Sequence, residues 1–281
     1  MKNSVSITLA DISVAFAGAD AELCHRIETQ YHDYLGHNDS PYHIQTFLHN
    51  EPKIAAHPKT VEVSMSGTSL SLHGRQYRLA LDLHTKSGEL HYSVNQSALH
   101  EKRTPPSFHA AIKALYAVLL LQEGKGFFIH SSAVALAQEA ICFLGLSGAG
   151  KSTICAMFDK QHVYNDELNI LLPKSDGVLL TGTPFSGDYD VRGIQKTSTL
   201  RGGFFIQQSR YCKTNKITFE KALSGLWRCI VLPQGAPCLE ARAFELAQNT
   251  ITQTSWQQLE FTKKNHDVLS LLNNFEIKEC A

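Results

Sequence analysis

The chain has 281 residues, 43% of them hydrophobic and 19% charged, which is enough apolar material for a buried core and too much for a disordered chain. Lys+Arg and Asp+Glu both number 26, so the formal net charge is zero, which argues against a general nucleic-acid or membrane-surface binder. The seven cysteines are odd in number and contain no C-x-x-C pair, and the fourteen histidines contain no H-E-x-x-H. Reduced cytosolic thiols are therefore the simpler reading, and neither a disulfide framework nor a zinc site is indicated.

The first sixteen residues are interrupted by Asp11 and lack the charged leader and long apolar run of a signal peptide. The most apolar stretch, Ala114 to Leu121, is shorter than the roughly 20 residues a bilayer-spanning helix needs, so a cytoplasmic protein is expected. In chain order, Ile7, Leu9 and Ile12 to Phe16 suit strands. Ala21 to Leu35 suits a helix, with Leu23, Ile27, Tyr31 and Tyr34 at helical spacing. From Val61 to Val94 apolar residues alternate with polar ones, and Ser66-Gly67, His73-Gly74 and Lys86-Ser87-Gly88 punctuate the runs. That pattern predicts an antiparallel meander.

Pro105-Pro106 breaks this pattern and marks the expected boundary between a β-rich N-terminal region, 1–104, and the rest, 105–281. A helix is expected over Ser107 to Gln122, with Phe108, Ile112, Leu115 and Leu119 on one face, ended by Gly124 and Gly126. Phe127 to Leu136 reads as a strand, Ala137-Gln138-Glu139 as a turn and Ala140 to Leu144 as a second strand. A glycine-rich turn follows, then a helix from Lys151 bearing Ile154, Met157 and Phe158. A further helix is expected over Glu220 to Val231, with Trp227 in the core; Cys142 and Cys155 read as packing residues.

The sharpest feature is Gly145-Leu146-Ser147-Gly148-Ala149-Gly150-Lys151-Ser152-Thr153, which matches G-x-x-x-x-G-K-[ST]. Gly145, Gly148 and Gly150 permit backbone geometry that aims successive N–H groups at a phosphate. Lys151 reaches the β- and γ-phosphates, and the Ser152 hydroxyl suits Mg²⁺. Nucleotide binding follows, with ATP and Mg²⁺ as the expected cofactors and Ser147, Ala149 and Thr153 completing the cradle. The adjacent acids Asp166-Glu167, one helix and a turn beyond Lys151, are placed for metal binding or base catalysis. An ABC-type ATPase would need an L-S-G-G-Q-like segment, which Ala222-Leu-Ser-Gly-Leu226 matches poorly. Adenylylsulfate kinases carry a similar loop near the N-terminus, whereas 144 residues precede Gly145 here.

Four motifs in order resemble the HPr kinase/phosphorylase family, and more closely the HPr-kinase-like proteins of modified-peptide (lasso-type) gene clusters. They are His130-Ser-Ser-Ala-Val-Ala-Leu136, Phe143 to Thr153, Asp166-Glu167 and Gly182-Thr-Pro-Phe-Ser-Gly-Asp188. The resemblance covers about residues 127–210. It implies an α/β fold of the HPr-kinase/PEP-carboxykinase type, with a mixed, strongly twisted sheet, in a catalytic domain over 105–281. It also implies transfer of the γ-phosphate of ATP to a serine hydroxyl of a peptide or protein. In that reading Lys151 and the loop hold the triphosphate. Ser152, Glu167 and Asp166 attend the metal, Asp166 is the base, and His130 supports the acids. Asp190 and Arg192 resemble the family's acid-and-arginine loop, and Asp188 competes with them through the Gly182–Asp188 motif, for contact with substrate or phosphate; Lys196 and Arg201 are further candidate cations for the transferring group. Glu167 stands where the family has Asp, and the polar Tyr164-Asn165 precede the acids where it favours small or apolar residues. These departures leave two alternatives open: a nucleotide-binding module acting as a maturation or regulatory partner, and a small-molecule hydroxyl kinase.

Overall fold

The computed structural model describes residues 4–18, 21–36, 39–49, 61–94, 103–186, 195–262 and 265–273. The chain forms two compact units, one of residues 1–123 with 232–240 and the other of 124–231 with 241–281. Both are mixed α/β, each built on a mixed sheet with few helices.

The first unit holds β1 (Ser4–Leu9), β2 (Ile12–Ala17), α1 (Ala21–Gln30), β3 (Tyr42–His49), β4 (Glu62–Ser66), β5 (Ser69–Gly74), β6 (Tyr77–Asp82), β7 (Ser87–Ser93) and α2 (Pro106–Gln122). Its sheet runs β1-β2-β3-β7-β6-β5-β4. Strands β4 to β7 form the antiparallel meander expected from the alternation, while β3 runs parallel to both β2 and β7. Along β3, Tyr42, Ile44 and Thr46 are buried and His43, Gln45 and Phe47 are exposed, so one face is covered. α2 packs against β2, β5, β6 and β7 and is buried nearly all round, with Val118, Leu120 and Leu121 inside as well as the expected face. Because α2 buries its surface on this sheet, the division falls after Glu123, seventeen residues beyond Pro106 at the start of α2, and not at the diproline. α1 stops at Gln30, earlier than the periodicity suggests. A 3-10 turn, His32–Tyr34, follows, and the buried Tyr31 side chain is tied to His109 of α2.

The second unit holds β8 (Phe127–Leu136), β9 (Glu139–Leu144), α3 (Lys151–Cys155), β10 (Val163–Asn165), β11 (Leu168–Lys174), β12 (Gly177–Gly182), β13 (Thr197–Gln208), β14 (Lys213–Lys216), α4 (Phe219–Trp227), most of α5 (Pro237–Gln253), β15 (Ser255–Phe261) and α6 (Asn265–Asn273). β8 and β13 are long enough to serve three ladders each, β8 also pairing with β10. The first part of β8 pairs with β11 and the second with β9. β13 begins beside β12 and continues between β9 and β15, parallel to both. Phe143 and Phe204 stack on one face of this sheet and pack with Ile154 and Cys155 of α3 and Val268 and Leu272 of α6. On the opposite face Phe205 meets Trp256 and Gly225 of α4. Strands covered on both sides read as continuous apolar runs, as β9 does from Ala140 to Leu144. Among the described residues no helix is long and apolar enough to cross a membrane.

Candidate functional site

β9 ends at Leu144, and the glycine-rich segment turns off its carboxyl end into α3. Each of its three glycines has a separate reason. A Cβ on Gly145 would lie 2.8 Å from the Ala149 Cβ and 3.1 Å from Ile206. Gly148 has φ +78° in open space, and Gly150 has φ +108° with the Phe261 ring 2.5 Å from where a Cβ would sit. Ala149 N–H donates to the Leu146 carbonyl at 3.0 Å, closing a turn, and Gln208 Nε2 donates to the Gly148 carbonyl at 3.0 Å. The Lys151 ammonium folds back over the loop and donates to the Gly145 carbonyl at 2.9 Å. Leu146, Ser147, Gly148 and Ser152 are exposed. α3 is a single turn that ends at Cys155; Met157 and Phe158, expected on it, lie in the turn that follows and pack partly buried against the core.

The β8–β9 register brings His130 to this loop. Ser131 is paired with Leu144, the last residue of β9, so Gly145 leaves the ladder beside His130. The vacated edge of β8 is taken by residues 229–231: His130 N–H donates to the Cys229 carbonyl at 2.7 Å, and Val231 N–H to the Phe128 carbonyl at 2.9 Å. On the other edge of β8, Leu168 pairs with His130 and Ser131 N–H donates to the Glu167 carbonyl at 3.2 Å. The phosphate-type loop, His130 and the acid pair are thus adjacent, with β8 between the loop strand and the acids.

The two acids diverge. The Glu167 carboxylate lies 3.2 Å from His130 Nδ1, and both side chains are about half exposed. Asp166 is 1% exposed and lies on the α3 side, where its charge adds to the burial that pushes the Cys155 thiol up to about 12. The turn carrying the acids is held by side chains. Asn165 Oδ1 accepts from the N–H groups of Glu167 (2.7 Å) and Leu168 (2.8 Å), while its Nδ2 donates to the Thr183 carbonyl at 2.8 Å. Asn169 Nδ2 donates to the Ser131 carbonyl at 2.7 Å, and Thr183 Oγ1 to the Leu168 carbonyl at 2.6 Å. All three are buried. Asn165 is therefore a structural element of the acid turn, satisfying amides that would otherwise be buried without partners.

Of the other cations, Lys196 is exposed and precedes Thr197, which pairs with Thr181 two residues before Thr183, so it sits at the acid-turn end of the sheet. Arg201 does not join the site. It pairs with Glu139 at 2.7 Å, at the opposite end of β9 from Gly145. Six strand residues separate those ends, a span of about 20 Å. Asp188, Asp190 and Arg192 lie outside the described residues. Trp227 is only partly buried and meets Phe244 edge-on at 5.6 Å, whereas Cys142 and Cys155 are buried as expected.

Sequence reasoning passed over Arg228 and Cys229. Burial raises the Cys229 thiol, opposed by the Lys151 ammonium, the Gly145 backbone and the Arg228 guanidinium. Arg228 is exposed and lines a groove of about 470 Å³ with Phe205, Ile217, Lys221 and Gln258. Nothing in the spacing links residue 228 to residue 145; only the strand-like pairing of 229–231 with β8 does. Asn165 was more legible, since an Asn immediately before a turn is an Asx-turn signal.

The oxygen donors on the α3 side, the Ser152 hydroxyl and the Asp166 carboxylate, are of the type a hard cation such as Mg²⁺ takes, which binds one or two carboxylates and completes its shell with phosphate and water. No family model matches this chain, and no curated protein matches it.

Proposed function

We propose that the second unit is an ATP- and Mg²⁺-dependent phosphotransferase of the HPr-kinase-like type that acts on a serine hydroxyl of a peptide or protein. The observation that carries the reading is the register placing the loop 145–153 beside the exposed His130–Glu167 pair. Lys151 and the loop amides would hold the terminal phosphates, and Ser152 with Asp166 would hold the metal. Bound Mg²⁺ offsets phosphate charge. The resemblance implies Asp166 as the base; the difference in exposure leads us to give contact with the incoming hydroxyl to Glu167, with His130 orienting it. The serine oxygen bonds to the γ-phosphorus as the bond to the departing diphosphate breaks, and the hydroxyl proton passes to the Glu167 carboxylate. Arg228 is exposed and precedes Cys229, whose carbonyl accepts from His130 N–H, and we give it the role of a second positive charge. The serine acceptor rests on the resemblance; the groove beside Arg228 offers room for a peptide segment.

Incubation with labelled ATP, Mg²⁺ and a serine-peptide library tests this. The wild type is expected to yield phosphopeptide, Glu167→Gln to lose about 10²–10⁴-fold in rate while still binding nucleotide, and Lys151→Ala to lose both. Transfer undiminished in Glu167→Gln would return the base role to another group. The burial of Asp166 favours one second reading, a nucleotide-binding module without transfer. Binding of Mg-ATP with no phosphorylated product from any peptide would establish it.

A further inference from the structure

Of the large apolar side chains exposed among the described residues, the two most exposed are Leu146, at 78%, and Tyr211, at 74%. Leu146 belongs to the loop itself. Tyr211 is anchored to the loop through its own segment. Gln208, the last residue of β13, donates to the Gly148 carbonyl. Ser209 N–H donates to the Phe261 carbonyl at 2.9 Å, and the Phe261 ring lies against Gly150. Tyr211 N–H closes the turn on Ser209 Oγ at 3.3 Å. The next residue, Cys212, packs against the core that α3 and α6 cover, so the chain turns inward immediately after presenting Tyr211 to solvent.

Strand order sets a direction. β9, which feeds the loop, lies between β8 and β13. His130 and Glu167 are on the β8 side, and the β13–β14 turn with Tyr211 is on the other. A triphosphate whose terminal phosphorus faces the His130–Glu167 pair therefore directs its nucleoside toward β13 and β15. We propose that Tyr211 is the stacking platform for the base of the bound nucleotide, an inference that rests on the phosphate-loop reading. An exposed phenol ring offers a base a flat apolar face at little entropic cost, and stacking of this kind tolerates any base.

The test compares two ligands on the intact chain by calorimetry: Mg-ATP, and Mg-tripolyphosphate, which has the phosphates without the nucleoside. Tyr211→Ala is expected to weaken Mg-ATP about 10-fold and leave tripolyphosphate unchanged, while Tyr211→Phe keeps the wild-type affinity for both. At this exposure the substitution removes no core packing. Equal Mg-ATP affinity in the wild type and Tyr211→Ala overturns the proposal, as does a loss shared by both ligands, which would mean that Tyr211 acts on the loop and not on a base. A wild type that binds neither ligand defeats the phosphate-loop reading itself, a result distinct from the other two.

Discussion

The sheets of the two units solve burial differently. In the first, the strands β5 and β6 are covered on one face and alternate: Leu70 and Leu72 in, Ser71 and His73 out; Leu79 and Leu81 in, Arg78 and Ala80 out. In the second, the strands around the loop are covered on both faces, and β8 exposes only His130 within its first nine residues. A two-sided core leaves few places for polar groups. Five of those it has, Ser131, Asn165, Asp166, Asn169 and Thr183, lie beside the loop and the acid turn, while Thr250, Thr254 and Ser255 are buried at the start of β15 and the end of the helix before it. The comparison teaches that the rigid, doubly buried sheet is where an exposed loop and one exposed histidine are held in fixed register.

The largest expected effect breaks this contrast if it fails. Phe143→Ala, which removes one partner of the 6.0 Å stack with Phe204 in the two-sided core, should cost about 3–5 kcal/mol in a urea melt. Arg78→Ala on the open face of the first sheet should stay within about 0.5 kcal/mol. Similar losses would mean the two sheets are not packed differently.

The first unit carries its own polar anchor. His109 Nδ1 lies 2.7 Å from the Tyr31 hydroxyl and 3.1 Å from Gln30 Nε2, within hydrogen-bonding distance of both; the Gln30 orientation is set by Thr104 N–H donating to its Oε1 at 2.9 Å. Burial, with Lys113 and Arg103 nearby, holds the imidazole down at about 4. The neutral form is thus favoured in the folded state, and the unfolded chain binds more protons between about pH 6.5 and 4. Stability from this group is complete above pH 6.5 and is lost as the pH falls toward 4, by at most roughly 3 kcal/mol. Urea melts across that range should show the decline in the wild type and a flatter profile in His109→Gln; equal profiles would remove His109 from the account.

Smaller effects sharpen the picture of the site. Asn165→Ala deprives two amides and one carbonyl of their partner and should cost about 2 kcal/mol. It should also lower transfer more than nucleotide binding, because the acid turn loosens while the loop stays. Gly150→Ala, forced to hold φ +108° against Phe261, should cost about 1–2 kcal/mol and weaken nucleotide affinity. Gly148→Ala, with the same backbone demand but open space, should cost less. Calorimetry on the three variants reads both quantities.

The parts legible in the sequence are those governed by local rules. The β4–β7 meander follows from alternation, and the β8–β9 hairpin and the loop follow from turn residues and the glycine pattern. The unit boundary was not legible, because the diproline marks where α2 begins and not what α2 packs against. Arg201 and Arg228 show the same limit from opposite sides. One is neutralised by Glu139 at the far end of β9, and the other precedes residues 229–231, which a pairing of segments about a hundred residues apart brings to His130. Long-range pairing decides such cases, and one-dimensional spacing carries no record of it.

The most direct test of the central claim is a calorimetric titration of Mg-ATP into the intact chain and into Lys151→Ala. The account predicts saturable one-site binding in the wild type and a loss of at least about 100-fold when the ammonium over Gly145 is removed, as expected for a charge-assisted contact worth about 3 kcal/mol. No binding in the wild type, or equal binding in the two, would contradict it.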